Sequence, residues 1–182
     1  MPSIISHAAV PLALRLGLGK SRVPTPLLFA GIVAAILPDA DVILFRFGAT
    51  YENIWSHRGF SHSFGFALFV GLIGAFLLRK VVPPAVAFTF IAGSAASHGL
   101  LDMMTNGGHG IALFWPLSDQ RYFFDWRPIQ VSPLDPSRFM TRAIAVAKTE
   151  ILWIWLPLMI AAFVFRASIE QMKAKREKGE RA

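Results

Sequence analysis

"PPAVAFTFIAGSAASHGLLDMM", residues 83–104, decides the fold. As a helix rising 1.5 Å per residue it covers about 33 Å, the thickness of a bilayer's hydrocarbon core. Its two prolines sit where a first helical turn loses nothing by a missing N–H. Nothing in it before Asp102 carries a fixed charge. Near its end stand His98 and Asp102, four residues apart and so on one helix face. The stretch therefore predicts a membrane-spanning helix that delivers a polar pair at one membrane level.

The rest of the chain repeats the first half of that message. Of 182 residues, 54% are apolar and only 16% charged, where a soluble domain carries about a quarter. Four more apolar segments surround the first: Ile4–Leu18, Pro24–Phe47, Phe60–Leu78 and Ile151–Ala167. They are too long and continuous for barrel strands, so helices are expected. The predicted class is an all-α integral membrane protein with about five apolar helices. Residues 1–168 form its one domain, with kinks expected at Pro38 and Pro157. A polar, turn-rich segment over residues 105–148 is expected to form one long extracytoplasmic loop, and residues 169–182 a basic cytoplasmic tail. There is no cysteine, so any metal must be held by nitrogen and oxygen.

The net charge of +7 invites a nucleic-acid reading, but its distribution points elsewhere. With five crossings, one face collects eleven basic and three acidic residues and the other seven and eight. Basic residues in short loops mark the cytoplasmic side of a membrane. The near-neutral face then looks outward, with the carboxyl terminus inside and no nucleic acid as partner.

That outward face also receives the polar residues that end the apolar runs. His7 opens the first. Asp39 and Asp41, in "LPDAD", lie late in the second. "WSHRGFSHSFGF", residues 55–66, brings His57 and His62 to the start of the third. His98 and Asp102 close the fourth, and Glu150 opens the fifth. Imidazole and carboxylate are the ligand set of Zn²⁺, Mn²⁺ or Fe²⁺. Ionisable groups in a bilayer cost roughly 2.5–3.5 kcal/mol each, so a cluster at one depth demands compensation by a cation or a proton path. The serines before four of the histidines suit caps and helix packing, and Ser61 is a fair cap for the third helix. Without a GxSxG elbow they do not suggest a nucleophile. Arg58, Arg121 and Arg127 are candidates for clamping an anion. The glycines after Asn106 let backbone N–H groups face one.

"SHAAVPLAL", "ILPDAD", "HRGFSHS" and "SHGLLDMMTNGG" followed by "FWPLSDQRYFF" resemble the bacterial membrane-bound metal-dependent hydrolases of the YdjM type over residues 3–160. More distantly, the pattern is similar to zinc phospholipase C and P1-type nucleases, although it lacks a later HxxxE. The resemblance implies an inner-membrane hydrolase whose metal set is drawn from His7, Asp39, Asp41, His57, His62, His98 and Asp102. With it, the expected assignment gives His7, Asp39, His62, His98 and Asp102 to one or two Zn²⁺ ions. Asp41, His57 or Glu150 supplies the general base. Arg58, Asn106 and Arg121 bind the substrate, expected to be a phosphoester on a lipid or a lipid-linked molecule. Two alternatives stand beside this one: a metal or proton transporter, and a non-catalytic protein with a structural metal.

Overall fold

The computed structural model describes residues 1–50, 52–132 and 136–179, without the side chains of 136–140 and 178–179. Asp135, Glu180 and Arg181 of the charge count lie outside the described residues, as do the side chains of Arg138 and Lys178. Among the described residues seven α-helices follow one another: α1 Ile4–His7, α2 Ala9–Leu18, α3 Thr25–Ile36, α4 Phe64–Leu77, α5 Pro84–Met103, α6 Pro136–Glu150 and α7 Leu156–Gly179. No strand occurs among the described residues, only isolated bridges that pair Thr105 with Ile129 and Ile111 with Tyr122.

Among the described residues three helical stretches are long and apolar enough to cross a membrane: Thr25–Phe47, Pro84–Met103 and Thr141–Glu177. Ile4–Leu18 and Phe64–Leu77 are shorter apolar helices. Ser63 explains the length of α4. It caps that helix, accepting from the Phe66 amide at 3.0 Å. Ser61, the cap expected from the sequence, instead donates to Asp41. At 14 residues α4 is about 21 Å long, short of the hydrocarbon thickness.

Pro38 has the effect its chemistry requires. Its ring collides with the carbonyl one turn back and it offers no N–H. The α-helix stops at Ile36 and the chain continues as a 3-10 helix over Leu37–Phe47. Before Pro157 the disturbance takes another form, a π-helical turn at Ile151–Trp155.

The long loop is shorter than expected. Residues 136–150 are helical, and α6 runs through the π-turn into α7. The sequence there is rich in Ala, Arg, Lys and Glu, which are strong helix formers, and Pro136 stands at the first helical position. Reading its polarity as turn signal missed that propensity.

The helices pack through small residues, as membrane helices do. α4 and α3 both lie on α5, and α2 lies on α7. A Cβ on Gly71 would fall 2.7 Å from that of Ala92, and one on Gly31 would fall 2.3 Å from the Phe90 ring. Leu27, Ala34, Ala67, Phe90, Ile91 and Ala95 form the buried core between α3, α4 and α5. Phe29, Phe69, Leu72, Phe76 and Phe163 point outward and are more than half exposed, which suits lipid contact.

Candidate metal centre

Five segments deliver the polar residues to one place. His7 is the last residue of α1, Asp39 and Asp41 lie on the 3-10 stretch, and His57 lies on the loop after it. His62 ends the short 3-10 turn Phe60–His62, and α5 carries His98 and Asp102 on one face. All seven side chains are buried. His7 stacks on His98 with ring centroids 3.7 Å apart, and His62 meets His98 edge-on at 4.6 Å.

Around these rings the two carboxylates divide their oxygens. Asp39 turns Oδ2 to His7 Nε2 at 3.8 Å and Oδ1 to His62 Nε2 at 3.8 Å and His98 Nε2 at 3.3 Å. Asp102 turns Oδ1 to His7 Nε2 at 3.7 Å and Oδ2 to His62 Nε2 at 3.6 Å. None of these is a hydrogen bond, and all but the 3.3 Å His98 contact are too long to be one. They match the edge of a tetrahedron of ligands, about 3.4 Å for bonds of about 2.1 Å to zinc.

The hydrogen-bond account points the same way. Among the described residues, nine buried side-chain nitrogens and oxygens lack a hydrogen-bond partner. All but Ser56 Oγ belong to His7, Asp39, His62, His98 and Asp102. Buried carboxylates left this way cost several kcal/mol each unless a cation offsets them. The donor set, three imidazoles and two carboxylates, fits a divalent ion of the Zn²⁺, Mn²⁺ or Fe²⁺ type.

Outer partners hold the rings in the tautomer that a cation needs. His98 Nδ1 donates to the Ala35 carbonyl at 2.7 Å, which leaves Nε2 as an acceptor facing the cluster. The Ser61 hydroxyl donates to Asp41 Oδ2 at 2.5 Å, so its oxygen is left to accept from His62 Nδ1 at 2.9 Å. His62 Nε2 is thereby also presented as an acceptor. Asp41 completes the set by accepting from His57 Nδ1 at 2.8 Å. Burial presses the His62 pKa down, but Asp39 and Asp41 outweigh it and raise it, so a cation binding at Nε2 competes with a proton there. The carboxylates thus call for positive charge in the pocket. For His57 burial wins over Asp41, and its pKa is lowered.

The remaining candidates are placed elsewhere. Glu150 accepts from the Ser3 amide and, at 2.7 Å each, from the hydroxyls of Ser3 and Ser6. It anchors the helix that ends in His7. Arg58 is buried, in the left-handed region at φ 67°, and its guanidinium is engaged by protein. It donates to the carbonyls of Gly107 and His109 at 3.0 and 2.6 Å and to Thr105 Oγ1 at 2.9 Å. Its Nε stands 3.2 Å from Asp102 Oδ2. Arg58 therefore ties the "TNGGHG" turn to the cluster. Arg121 donates to the Arg58 and Gly110 carbonyls at 3.0 and 3.2 Å. Asn106 joins the turn to Gln130 and Val131, at 3.0 Å each. Sequence reading missed the parts of Ser61, Thr105 and the Ala35 carbonyl. Of these, only Ser61 had a visible signal, its place directly before His62.

Gly99 shows how closely α5 approaches this site. A Cβ there would fall 2.6 Å from the His62 carbonyl oxygen, a backbone atom. Gly99→Ala should push the 59–63 segment off α5 at a cost of about 1–3 kcal/mol. Metal analysis of the purified variant should show a weakened site, whereas Gly93→Ala, which meets nothing within 4 Å, should bind normally.

Comparison with known proteins places the chain. The family model described as YdjM inner membrane protein matches residues 1–174. Inner membrane protein YbcI of Escherichia coli K12 is 46% identical over 163 residues, covering 88% of this chain and 94% of that protein. No solved structure matches. The chain belongs to the YdjM inner membrane protein family.

Proposed function

We propose that this chain, as a member of that family, is a membrane-embedded metal-dependent hydrolase acting on a phosphoester of a lipid or lipid-linked substrate. One observation carries the reading. Asp39 and Asp102 each split their two oxygens between His7 on one side and His62 on the other. These residues would hold one or two divalent cations, which would supply Lewis acidity to a substrate oxygen. A structural ion, by contrast, takes four ligands and closes its shell.

In this reading His7, Asp39, His62, His98 and Asp102 hold the ions. A divalent cation there supplies Lewis acidity, polarising a phosphoryl oxygen and making water a nucleophile near neutral pH. His57 is the general base. It lies within 4.8 Å of Asp39 and His62 by its nearest ring nitrogen, and Asp41 behind it fixes the ring. The basic residues of the opposite loops and tail favour an outward-facing site. At that level a headgroup reaches the cluster while its chains stay in lipid. Trp55 and Phe60, each packed edge to face against Trp115, suit the membrane–water boundary.

Burial favours a second reading, a structural ion in a non-catalytic protein, since all five candidate ligands are shielded from water. Purified protein separates the two readings through metal content and headgroup release from mixed phospholipids. Two ions per chain with turnover that a chelator abolishes supports the hydrolase. One tightly held ion without turnover supports the structural reading. Asp41→Asn adds a graded test. Losing the carboxylate that orients His57 and His62 should weaken metal binding about 10–100-fold without abolishing it. Unchanged affinity, read by competition with a chromogenic chelator, would remove Asp41 from the site.

A further inference from the structure

At the opposite end of the helices five cations converge. Arg15, Lys20 and Arg22, at and after the end of α2, meet Arg166 and Lys173 of α7 around a recess of about 680 Å³. No acidic residue lines it among the described residues. Glu170, which accepts from Arg166 Nε at 2.6 Å, lies outside the lining. Arg15 is held in place by donating to the Val23 carbonyl at 2.9 Å. The Arg166 guanidinium lies over Gly19, whose φ of 87° and missing Cβ leave room for it.

Two apolar grooves lead away from this recess, one on each side of α2. The first, about 380 Å³, runs between α2 and α7 past Ala13, Gly17, Ala162 and Phe165. The second, about 560 Å³, runs between α2 and the α3–α5 pair past Leu27, Val86 and Phe90. Leu18 lines all three spaces, so they adjoin one another at that side chain. Small side chains open the first groove. In the second, Ser21 and Arg22 stand where apolar lining gives way to the cationic recess.

We propose that this end of the molecule is a binding site for one anionic diacyl phospholipid, its phosphodiester among the five cations and its two acyl chains in the two grooves. Charge complementarity selects the headgroup, because basic pockets between membrane helices take anionic lipid heads. Guanidinium groups add directed hydrogen bonds to phosphate oxygens. The two diverging grooves select a lipid over a soluble phosphate, which would leave them empty. The lipid is a resident ligand and not the substrate of the proposed hydrolase. Pro84 lies at the α5 end nearest the recess, and from there to His98 the helix rise alone is about 21 Å. The proposal stands whether or not the metal centre is catalytic.

The test is native mass spectrometry of the full chain released from detergent, with phosphatidylglycerol or phosphatidylcholine of identical acyl chains. Wild type should retain phosphatidylglycerol about tenfold better, equivalent to about 1.4 kcal/mol. Arg22→Gln combined with Lys173→Gln should lose that preference. Arg79→Gln combined with Lys80→Gln, which removes equal charge at the same membrane level outside the recess, should keep it. Equal retention of both lipids by wild type overturns the proposal, and that measurement needs no variant to fold. Equal loss in the Arg79/Lys80 control also overturns it, because the preference would then be bulk surface charge. Displacement of the lipid by an equal concentration of glycerol phosphate would identify a soluble anion as the occupant and overturn it likewise.

Discussion

His62→Ala is expected to lower divalent-metal affinity by more than about 100-fold, with loss of any hydrolysis the protein performs. Even outer partners of metal ligands are worth about 10–100-fold, and His62 faces both carboxylates of the cluster directly. It is also tied to Asp41 and Ser61 from behind. The substitution leaves α4 and its Ser63 cap untouched, so the protein should still insert into the membrane. Metal content by elemental analysis, after gel filtration against a weak chelator, reads the effect. His109→Ala is the matched control, because His109 is exposed and stands apart from the cluster. Wild-type metal content in His62→Ala would end the metal-centre reading. Equal loss in both variants would show that the assay reports on something other than the cluster.

The second large effect is on stability. Arg58→Met keeps much of the side-chain volume and removes the charge. Asp102 then loses the guanidinium beside Oδ2, and Gly107, His109 and Thr105 lose its donated hydrogen bonds. Breaking a buried ion pair from one side costs about 3–5 kcal/mol. For a chain of this size that is roughly 10 °C in Tm. Arg58→Lys should rescue little, since one ammonium cannot reproduce a fork that reaches separate acceptors. Thermal unfolding in detergent checks both variants. A normal Tm combined with a raised KM would instead restore Arg58 to the substrate-contacting part that the sequence suggested. Asp102→Asn is the informative partner. It should cost more stability than Arg58→Met if a bound cation, and not Arg58 alone, neutralises the aspartate, because asparagine removes a ligand of that cation.

Much of this architecture is visible before any folding is considered. The length and continuity of residues 83–104 require a helix, and a helix puts His98 and Asp102 on one face. The scarcity of charge requires a membrane, and Pro38 requires a break. Seven of the eight residues proposed as ligands or bases come together as the apolar boundaries suggested, and Glu150 does not. It too ends an apolar run, but its partners are Ser3 and Ser6 at the far end of the chain. The serines were legible as small residues suited to helix packing, yet Ser61 does something only proximity allows. It relays between Asp41 and His62.

The sequence by itself therefore determined which side chains share a membrane level, because helix length and apolar run length set depth along one axis. Which of those side chains face one another was decided by tertiary structure. That depends on how each helix is rotated and where the connecting turns cross, and neither has a local code. The three-dimensional arrangement made Arg58, a candidate anion clamp, a buried strut, sent Glu150 to the amino-terminal helix, and set the oxygens of Asp39 and Asp102 between His7 and His62.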